Sequence, residues 1–468
     1  MPTQTPAMDR NLASAAKKNG NQWLTLVTLC GAVLIAQLDT SVVNLATRPI
    51  GDYFKASVGA LQWVVDSYNL LYAVLLLTGG LLADLRGRRM IFMAGAAVFT
   101  VSSLICALAP TVGVLITGRA LAGVGAALLL PASLAIVRVA WPDAKDRARA
   151  LGIWAGCNGL ALGIGPTVGG SLIHAFGWRS IFLVVVPVGL AALVLAPLTI
   201  TETSDPQNRH FDLKAQVFGA VSLGALALAA IESHDSAITA MAAFLVSVVS
   251  FFLFLRTERR RGSGALVPLD MFDSREFRGA ITATTGMTFG MYGVIFLLPL
   301  VWQSTGRLDP VSAGLALIPM ALIFVLVSPC SGSLSSRFGQ RLLSAGGVGL
   351  IGLGPLTIAA TAHSHSLLGA EIGLGLTGLG MGFATGPLMA MAVGSVQANR
   401  SGTAAALINV ARMAGATIGV AVLGAVYVLA GDGPKGLMLA MIFGGLVQIV
   451  AAVWAWFAMA RQAGASAN

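Results

Sequence analysis

Fourteen apolar runs dominate the 468-residue chain, each close to the length of about 20 residues that an α-helix needs to cross a bilayer. They fall at 23–46, 60–83, 90–109, 111–139, 148–175, 180–200, 213–231, 236–255, 277–302, 311–334, 341–362, 367–395, 403–430 and 436–460. The seventh and eighth are short and joined by Ile231–Ser236, and leave thirteen or twelve spans as alternatives. Only 10% of residues are charged and 56% are hydrophobic, whereas a soluble domain carries roughly 25% charge. A water-facing surface cannot be built from this composition, so an all-α integral membrane protein is expected. Soluble enzymes, secreted disulfide scaffolds and nucleic-acid-binding domains are excluded. The 56 glycines favour close helix–helix approach in lipid.

The formal net charge of +10 follows topology. With the N-terminus in the cytoplasm, 22 of the 29 Lys and Arg fall in cytoplasmic segments, five in outer segments, and Arg119 and Arg412 inside helices. The positive-inside rule thus fixes both termini in the cytoplasm and supports the even span count. Residues 1–22 are polar, and the run that follows is too long for a cleaved signal peptide, so it reads as an uncleaved first helix. Cys30, Cys106, Cys157 and Cys330 lie in apolar stretches without metal-ligand spacing and read as unpaired core thiols.

Two cytoplasmic loops repeat one another. Gly80-Leu81-Leu82-Ala83-Asp84-Leu85-Arg86-Gly87-Arg88-Arg89 follows span two, and Gly332-Ser333-Leu334-Ser335-Ser336-Arg337-Phe338-Gly339-Gln340-Arg341 follows span ten, at an offset of 252 residues. Both run from membrane to cytoplasm, which makes the repeats parallel, as in transporters that bind substrate between two halves. Setting spans seven and eight aside leaves six plus six. The expected organisation is a cytoplasmic segment 1–22, a six-helix bundle 23–200, a two-helix insertion 201–276, and a second six-helix bundle with a short tail 277–468.

The loop Gly80-x-Leu82-Ala83-Asp84-x-x-Gly87-Arg88-Arg89 resembles the signature of the major facilitator superfamily. Three further segments resemble its fourteen-span drug:proton antiporters of the QacA/EmrB type: Leu38-Asp39-Thr40-Ser41-Val42-Val43-Asn44-Leu45-Ala46, Arg119-Ala120-Leu121-Ala122-Gly123-Val124-Gly125, and the helix-five motif Gly159–Gly170 with Gly165, Pro166, Gly169 and Gly170. Leu85 stands where the family has a basic residue, Ala122 where Gln is frequent, and Arg48 where proline is expected. The resemblance implies the major facilitator fold, two six-helix bundles plus two central helices, and proton-driven export by alternating access.

Few ionisable residues lie at membrane depth, and each is a functional candidate because an unpaired charge there is costly. Counting residues at about 1.5 Å each puts Asp39, Asp66 and Arg119 in one layer, roughly 10 Å from the outer end of the first bundle. Two acids and an arginine in a partly dry cavity can poise a proton near neutral pH. This assigns proton coupling to Asp39, Asp66 and Arg119. Asn44, Tyr68, Tyr292, Trp302, Gln303 and Arg412 join the two acids as candidate substrate contacts, with interfacial anchoring as the alternative for Trp302 and snorkelling or a backbone carbonyl as the alternative for Arg412. Gly80, Asp84, Gly87, Arg88 and Arg89 form a candidate gating loop in which Gly87 suits a turn with positive φ. In helix five, Gly152/Gly156, Gly159/Gly163 and Gly165/Gly169 are small-xxx-small pairs suited to close approach, and Gly415/Gly419 repeat the spacing in span thirteen.

No phosphate-binding Gly-x-x-x-x-Gly-Lys-[Ser/Thr] loop occurs, so a proton gradient is the expected energy source, with no cofactor, no metal and no enzymatic nucleophile set. The expected partners are protons, a small-molecule substrate and the lipid bilayer, with the protein a monomer that binds no nucleic acid. The expected function is export of lipophilic, cationic drugs across the cytoplasmic membrane. A dedicated exporter of one metabolite (siderophore, antibiotic or amino acid) and a non-transporting receptor of the same fold are the alternatives.

Overall fold

In a lipid-spanning chain every backbone N–H and C=O must bond internally, and long helices are the simplest solution. The computed structural model describes residues 6–204, 213–234, 236–261, 267–362, 367–396 and 400–459, and no strand occurs among them. The first bundle comprises α1 (Pro6–Phe54), α2 (Val58–Arg86), α3 (Arg88–Ala107), α4 (Val112–Ala140), α5 (Ala144–Phe176) and α6 (Ser180–Thr199). Then come α7 (Leu213–Ile231) and α8 (Ala237–Arg261). The remainder is α9 (Arg275–Ser304), α10 (Pro310–Phe338), α11 (Gln340–Thr361), α12 (Leu367–Gly394), α13 (Ser401–Leu429) and α14 (Gly433–Ala458). Thirteen of these are long and apolar enough to span a membrane, and α5, 33 residues long, occupies the position of the expected fifth span.

Helix ends are set by residues with clear reasons to be there. Ser57, Thr111, Ser274 and Asp309 cap α2, α4, α9 and α10 by accepting first-turn N–H groups. Within α6 regular geometry is interrupted at Val184, and within α10 at Leu317 and Ser328–Cys330. Pro187, Pro319 and Pro329 lie at or just after these breaks, each lacking the N–H a helix would use. Helix α1 is helical from Pro6, so the polar N-terminal segment continues into the first candidate span, which lies within Gln22–Phe54. The loops 205–212 and 262–266 of the two-helix insertion and the tail 460–468 lie outside the described residues.

Packing repeats with a shift of eight helices. In the first half α2 and α3 pack on α4, α1 on α5 and α6, and α3 on α6; in the second, α10 and α11 pack on α12, α9 on α13 and α14, and α11 on α14. The halves meet through α2–α13 and α5–α10, the two pairs that the same shift exchanges, and through α1–α9. Helix α7 packs on both α2 and α13, whereas α8 packs chiefly on α7. Only 17% of the apolar window of α8 is buried, against 94% for α9, so α8 is the outlying helix and α9 the heart of its half.

The contacts between halves cluster at the end carrying the α1–α2 loop. There Gln62 Nε2 donates to Val420 O and Ala421 O, both at 2.9 Å, and Gln303 Nε2 donates to Leu45 O at 3.2 Å. A Cβ on Gly314 would sit 2.3 Å from Pro166 O, and one on Gly170 2.7 Å from Pro310 O, so α5 and α10 touch backbone to backbone. Toward the opposite end the same two helices separate. A Cβ on Gly152, Gly156 or Gly332 would meet nothing within 4 Å. The Gly152/Gly156 pair therefore does not seat a neighbouring helix as the spacing predicts, because it lies where α5 has left α10; the side chains around Gly159 and Gly163 are outside the described residues. Gly415 and Gly419 do seat a helix, with their Cβ positions 2.4 Å from Thr285 O and 2.0 Å from Phe289 O of α9.

Candidate functional site

Asp39 on α1 and Arg119 on α4 form a direct ion pair, Arg119 Nη1 donating to Asp39 Oδ2, with each side chain only 2% exposed. Arg119 also donates from Nε to Val64 O of α2 at 3.1 Å, and its guanidinium lies 4.6 Å from the Tyr68 ring centroid. The Tyr68 hydroxyl in turn donates to Ala36 O of α1 at 3.1 Å. One arginine thereby ties α1, α2 and α4 together and satisfies a carbonyl, a carboxylate and an aromatic face at once. Removing water from such a pair is expensive unless its geometry is good, and here both charges are enclosed.

Asp66 departs from the expected cluster. It is fully buried, yet neither carboxylate oxygen has a hydrogen-bond partner among the described residues, and Arg119 pairs with Asp39 alone. Depth along a helix does not fix direction around it. Gln62, one turn before Asp66, reaches α13, so the stripe carrying Gln62, Asp66 and Asn69 faces the other half. Asp39 and Arg119 instead belong inside the first bundle.

The candidate substrate contacts divide in the same way. Tyr68 lies in the first-bundle core beneath Arg119, in the carboxylate layer as expected. Trp302 is 2% exposed and lines a small cavity with Leu298, Ile358, Ala370 and Leu437, all in the second half. Gln303 does cross between halves, bonding beside Asn44, whose Nδ2 donates to Thr40 O at 3.0 Å and whose Oδ1 is unpartnered. Arg412 is half-buried, 3.4 Å from Asn409 Oδ1, and lies within electrostatic reach of Tyr292 in its own half and of Tyr72 in the other. Asn44, Gln303, Tyr292 and Arg412 are thus the expected contacts brought to the junction.

The loop between α2 and α3 is held within its own half. Arg88 Nη2 pairs with Asp84 Oδ1 at 2.9 Å, and Arg89 Nη1 donates to Ile200 O at 3.2 Å. Glu202 caps α3, accepting from Arg89 N and Met90 N at 3.0 Å each. Gly87 has φ +117°, and Gly339, its counterpart in the repeat, +91°. Any Cβ at Gly87 would also meet Glu202 Oε1 at 2.7 Å, whereas Gly80 makes only ordinary contact with Pro131. In helix α5, Gly165 and Gly169 seat Ser41 and Val42 of α1, while Pro166 and Gly170 meet α10. Among the cysteines, all free, Cys330 is exposed rather than buried as expected, since it sits where α10 has diverged from α5.

Sequence reasoning missed Gln62, Asn69, Tyr72, Glu202 and Thr417. Polar side chains inside apolar runs were the available signal for four of them; Glu202, in a loop, offered none.

A profile of the Major Facilitator Superfamily matches residues 29–420. The chain is 36% identical over 411 residues to the multidrug resistance protein Stp of Mycobacterium tuberculosis, covering 87% of this chain and 76% of that protein. It is 30% identical to the methylenomycin A resistance protein of Bacillus subtilis, covering 95% and 96%. It is 32% identical to the multidrug efflux pump LfrA of Mycolicibacterium smegmatis, covering 86% and 81%. The peptide transporter POT, crystallised with sulfate, superposes with a TM-score of 0.70 at 15% identity over 92% of this chain and 93% of that one, which is a likeness of fold. Two pseudo-repeated bundles, a junction closed at one end only and a matching profile over most of the sequence lead to one conclusion: the chain belongs to the Major Facilitator Superfamily and is a multi-pass membrane transporter.

Proposed function

We propose that this protein is a fourteen-span drug:proton antiporter that exports lipophilic, cationic compounds across the cytoplasmic membrane. The observation that carries this reading is the enclosed Asp39–Arg119 pair beside a junction closed at only one end. The named relatives supply the drug-efflux half of the proposal. With both termini cytoplasmic, the closed end is the outer one and the chain is inward-facing. The bundles 23–200 and 277–468 rock about the junction, and the Asp84–Arg88–Arg89 loop docks across it only in the opposite, outward-facing state. No cofactor takes part, the proton gradient drives the cycle, and one chain suffices.

Proton exchange follows from the pair's chemistry. A proton reaching Asp39 weakens its bond to Arg119, and a cationic substrate competes for the same carboxylate, so the two ligands alternate. In proteoliposomes with an acidic lumen, adding ethidium outside should alkalinise the lumen with saturable dependence on dye, and Asp39→Asn should abolish that flux. Folded wild-type protein giving no flux with ethidium or other lipophilic cations would overturn the cationic reading.

One observation favours a second reading. Arg412, not an acid, is a charged group of the second half within electrostatic reach of Tyr72 and Tyr292 near the junction. A neutral or anionic metabolite suits it better, and one relative is a tetracenomycin C resistance and export protein of Streptomyces glaucescens.

A further inference from the structure

Helix α8 carries two unlike faces. Its buried side chains, Ala243, Ser247, Ser250 and Glu258, recur at helical spacing along one of them. That face lies on α7, where Ser247 Oγ donates to Ser222 O at 2.8 Å and a Cβ on Gly219 would sit 3.7 Å from the Phe254 ring. The other face is an exposed stripe, Leu245, Val249 and Phe252, that continues without a break into Arg256, Arg259 and Arg260. Steps of three or four residues keep all six on one side of the helix. From Leu245 to Arg256 the stripe rises about 16 Å, close to one leaflet of a hydrocarbon core about 30 Å thick.

The protein supplies these arginines with no counter-charge. Glu258, the acid of the run Arg256–Arg261, belongs to the buried face, where it accepts from Val267 N at 2.9 Å. Among the described residues no ion pair reaches Arg256, Arg259 or Arg260. At the same end Arg88, Arg89 and Arg400 pair with Asp84, Glu202 and Asp270. Phe252, Leu255 and the three arginines line a recess of about 470 Å³. Its occupant must be apolar along the helix and anionic at the end. A second copy of the chain, meeting this face about a two-fold axis along the membrane normal, would set its own three arginines against these at the same depth. A free phosphate would answer the charges and make no use of the stripe.

We infer that the C-terminal end of α8 binds one anionic phospholipid, its phosphate held by Arg256, Arg259 and Arg260 and an acyl chain laid along Phe252, Val249 and Leu245. Guanidinium groups suit this ligand because their N–H forks match pairs of phosphate oxygens. Bound there, the lipid holds the outlying helix from its bare side, since α8 packs chiefly on α7. The inference requires only that the chain spans a bilayer, and it is independent of what is exported and of what drives export.

The test uses the full chain, purified in detergent and stripped of endogenous lipid, with equal amounts of phosphatidylglycerol and phosphatidylcholine of the same acyl chains added. Native mass spectrometry counts the lipids that each chain retains. One phosphatidylglycerol should stay bound, favoured over phosphatidylcholine by roughly 100-fold, the combined worth of three basic residues beside anionic lipid. Arg256→Gln/Arg259→Gln/Arg260→Gln should nearly abolish the preference, while Arg275→Gln/Arg278→Gln, which removes exposed charges beyond the stripe, should leave it intact. If the triple variant does not fold, Arg259→Gln and Arg260→Gln taken singly should each lower the preference several-fold. Excess inorganic phosphate should leave the lipid in place; its displacement would reveal a site for free anions and overturn the inference. Equal retention of the two lipids by the wild type, or an unchanged preference in the arginine variants, would overturn it as well.

Discussion

Asp39 and Arg119 neutralise each other where neither could stand alone, and the asymmetry between them is measurable. Asp39→Asn leaves a buried guanidinium without its counter-charge, a loss of about 3–5 kcal/mol for a pair this enclosed. The double variant Asp39→Asn/Arg119→Gln should regain part of it, so thermal unfolding in detergent should rank wild type above the double variant and the double variant above the single. Both positions were legible in the sequence because a charge in an apolar run announces itself. The partnership of Asp66 was not. Residue counting gives depth, while the azimuth of a side chain depends on which neighbour its helix packs against, and that became fixed only through the bonds of Gln62 to α13. Asp309 offers a residue-scale test outside the membrane. Its carboxylate caps α10, and the N–H of Ser312 is the leading cause holding it below the usual range. A lowered value stabilises above the unfolded pKa of about 3.9 and ceases to as pH falls through the folded value. Asp309→Ala should therefore cost about 1 kcal/mol at neutral pH, typical of a lost N-cap, and nothing at strongly acid pH.

The helices themselves were readable to within a few residues at most ends, since apolar length and capping chemistry leave little freedom. Their interruptions at Val184 and Leu317 were not, although Pro187 and Pro319 mark them in retrospect. Helix α5 shows how one element serves two contacts. Gly165 and Gly169 turn toward α1, and Gly170 turns toward α10, so bulk at each position should have a different effect. Gly170→Leu should prop open the α5–α10 contact while leaving the first bundle folded. Cross-linking between cysteines introduced at the ends of α5 and α10 that touch should fall several-fold in that variant, and Gly152→Leu, which meets open space, should leave it unchanged.

At the scale of the whole molecule, the repeat in the loops at Gly80 and Gly332 extends to the packing: a shift by eight helices maps one half's contacts onto the other's and exchanges the two seams. The sequence carried this symmetry in a handful of glycines and arginines, whereas the position of the inserted pair had no sequence signature, because apolar helices in lipid advertise no preferred neighbour. The structure places α7 over α2 and α13, with no comparable packing of the pair on α5 or α10 among the described residues. One flank of the junction is therefore roofed and the other bare. A compound dissolved in the bilayer meets the dividing line between the halves from a single side, so the protein, built from two nearly equivalent parts, is handed with respect to the lipid around it.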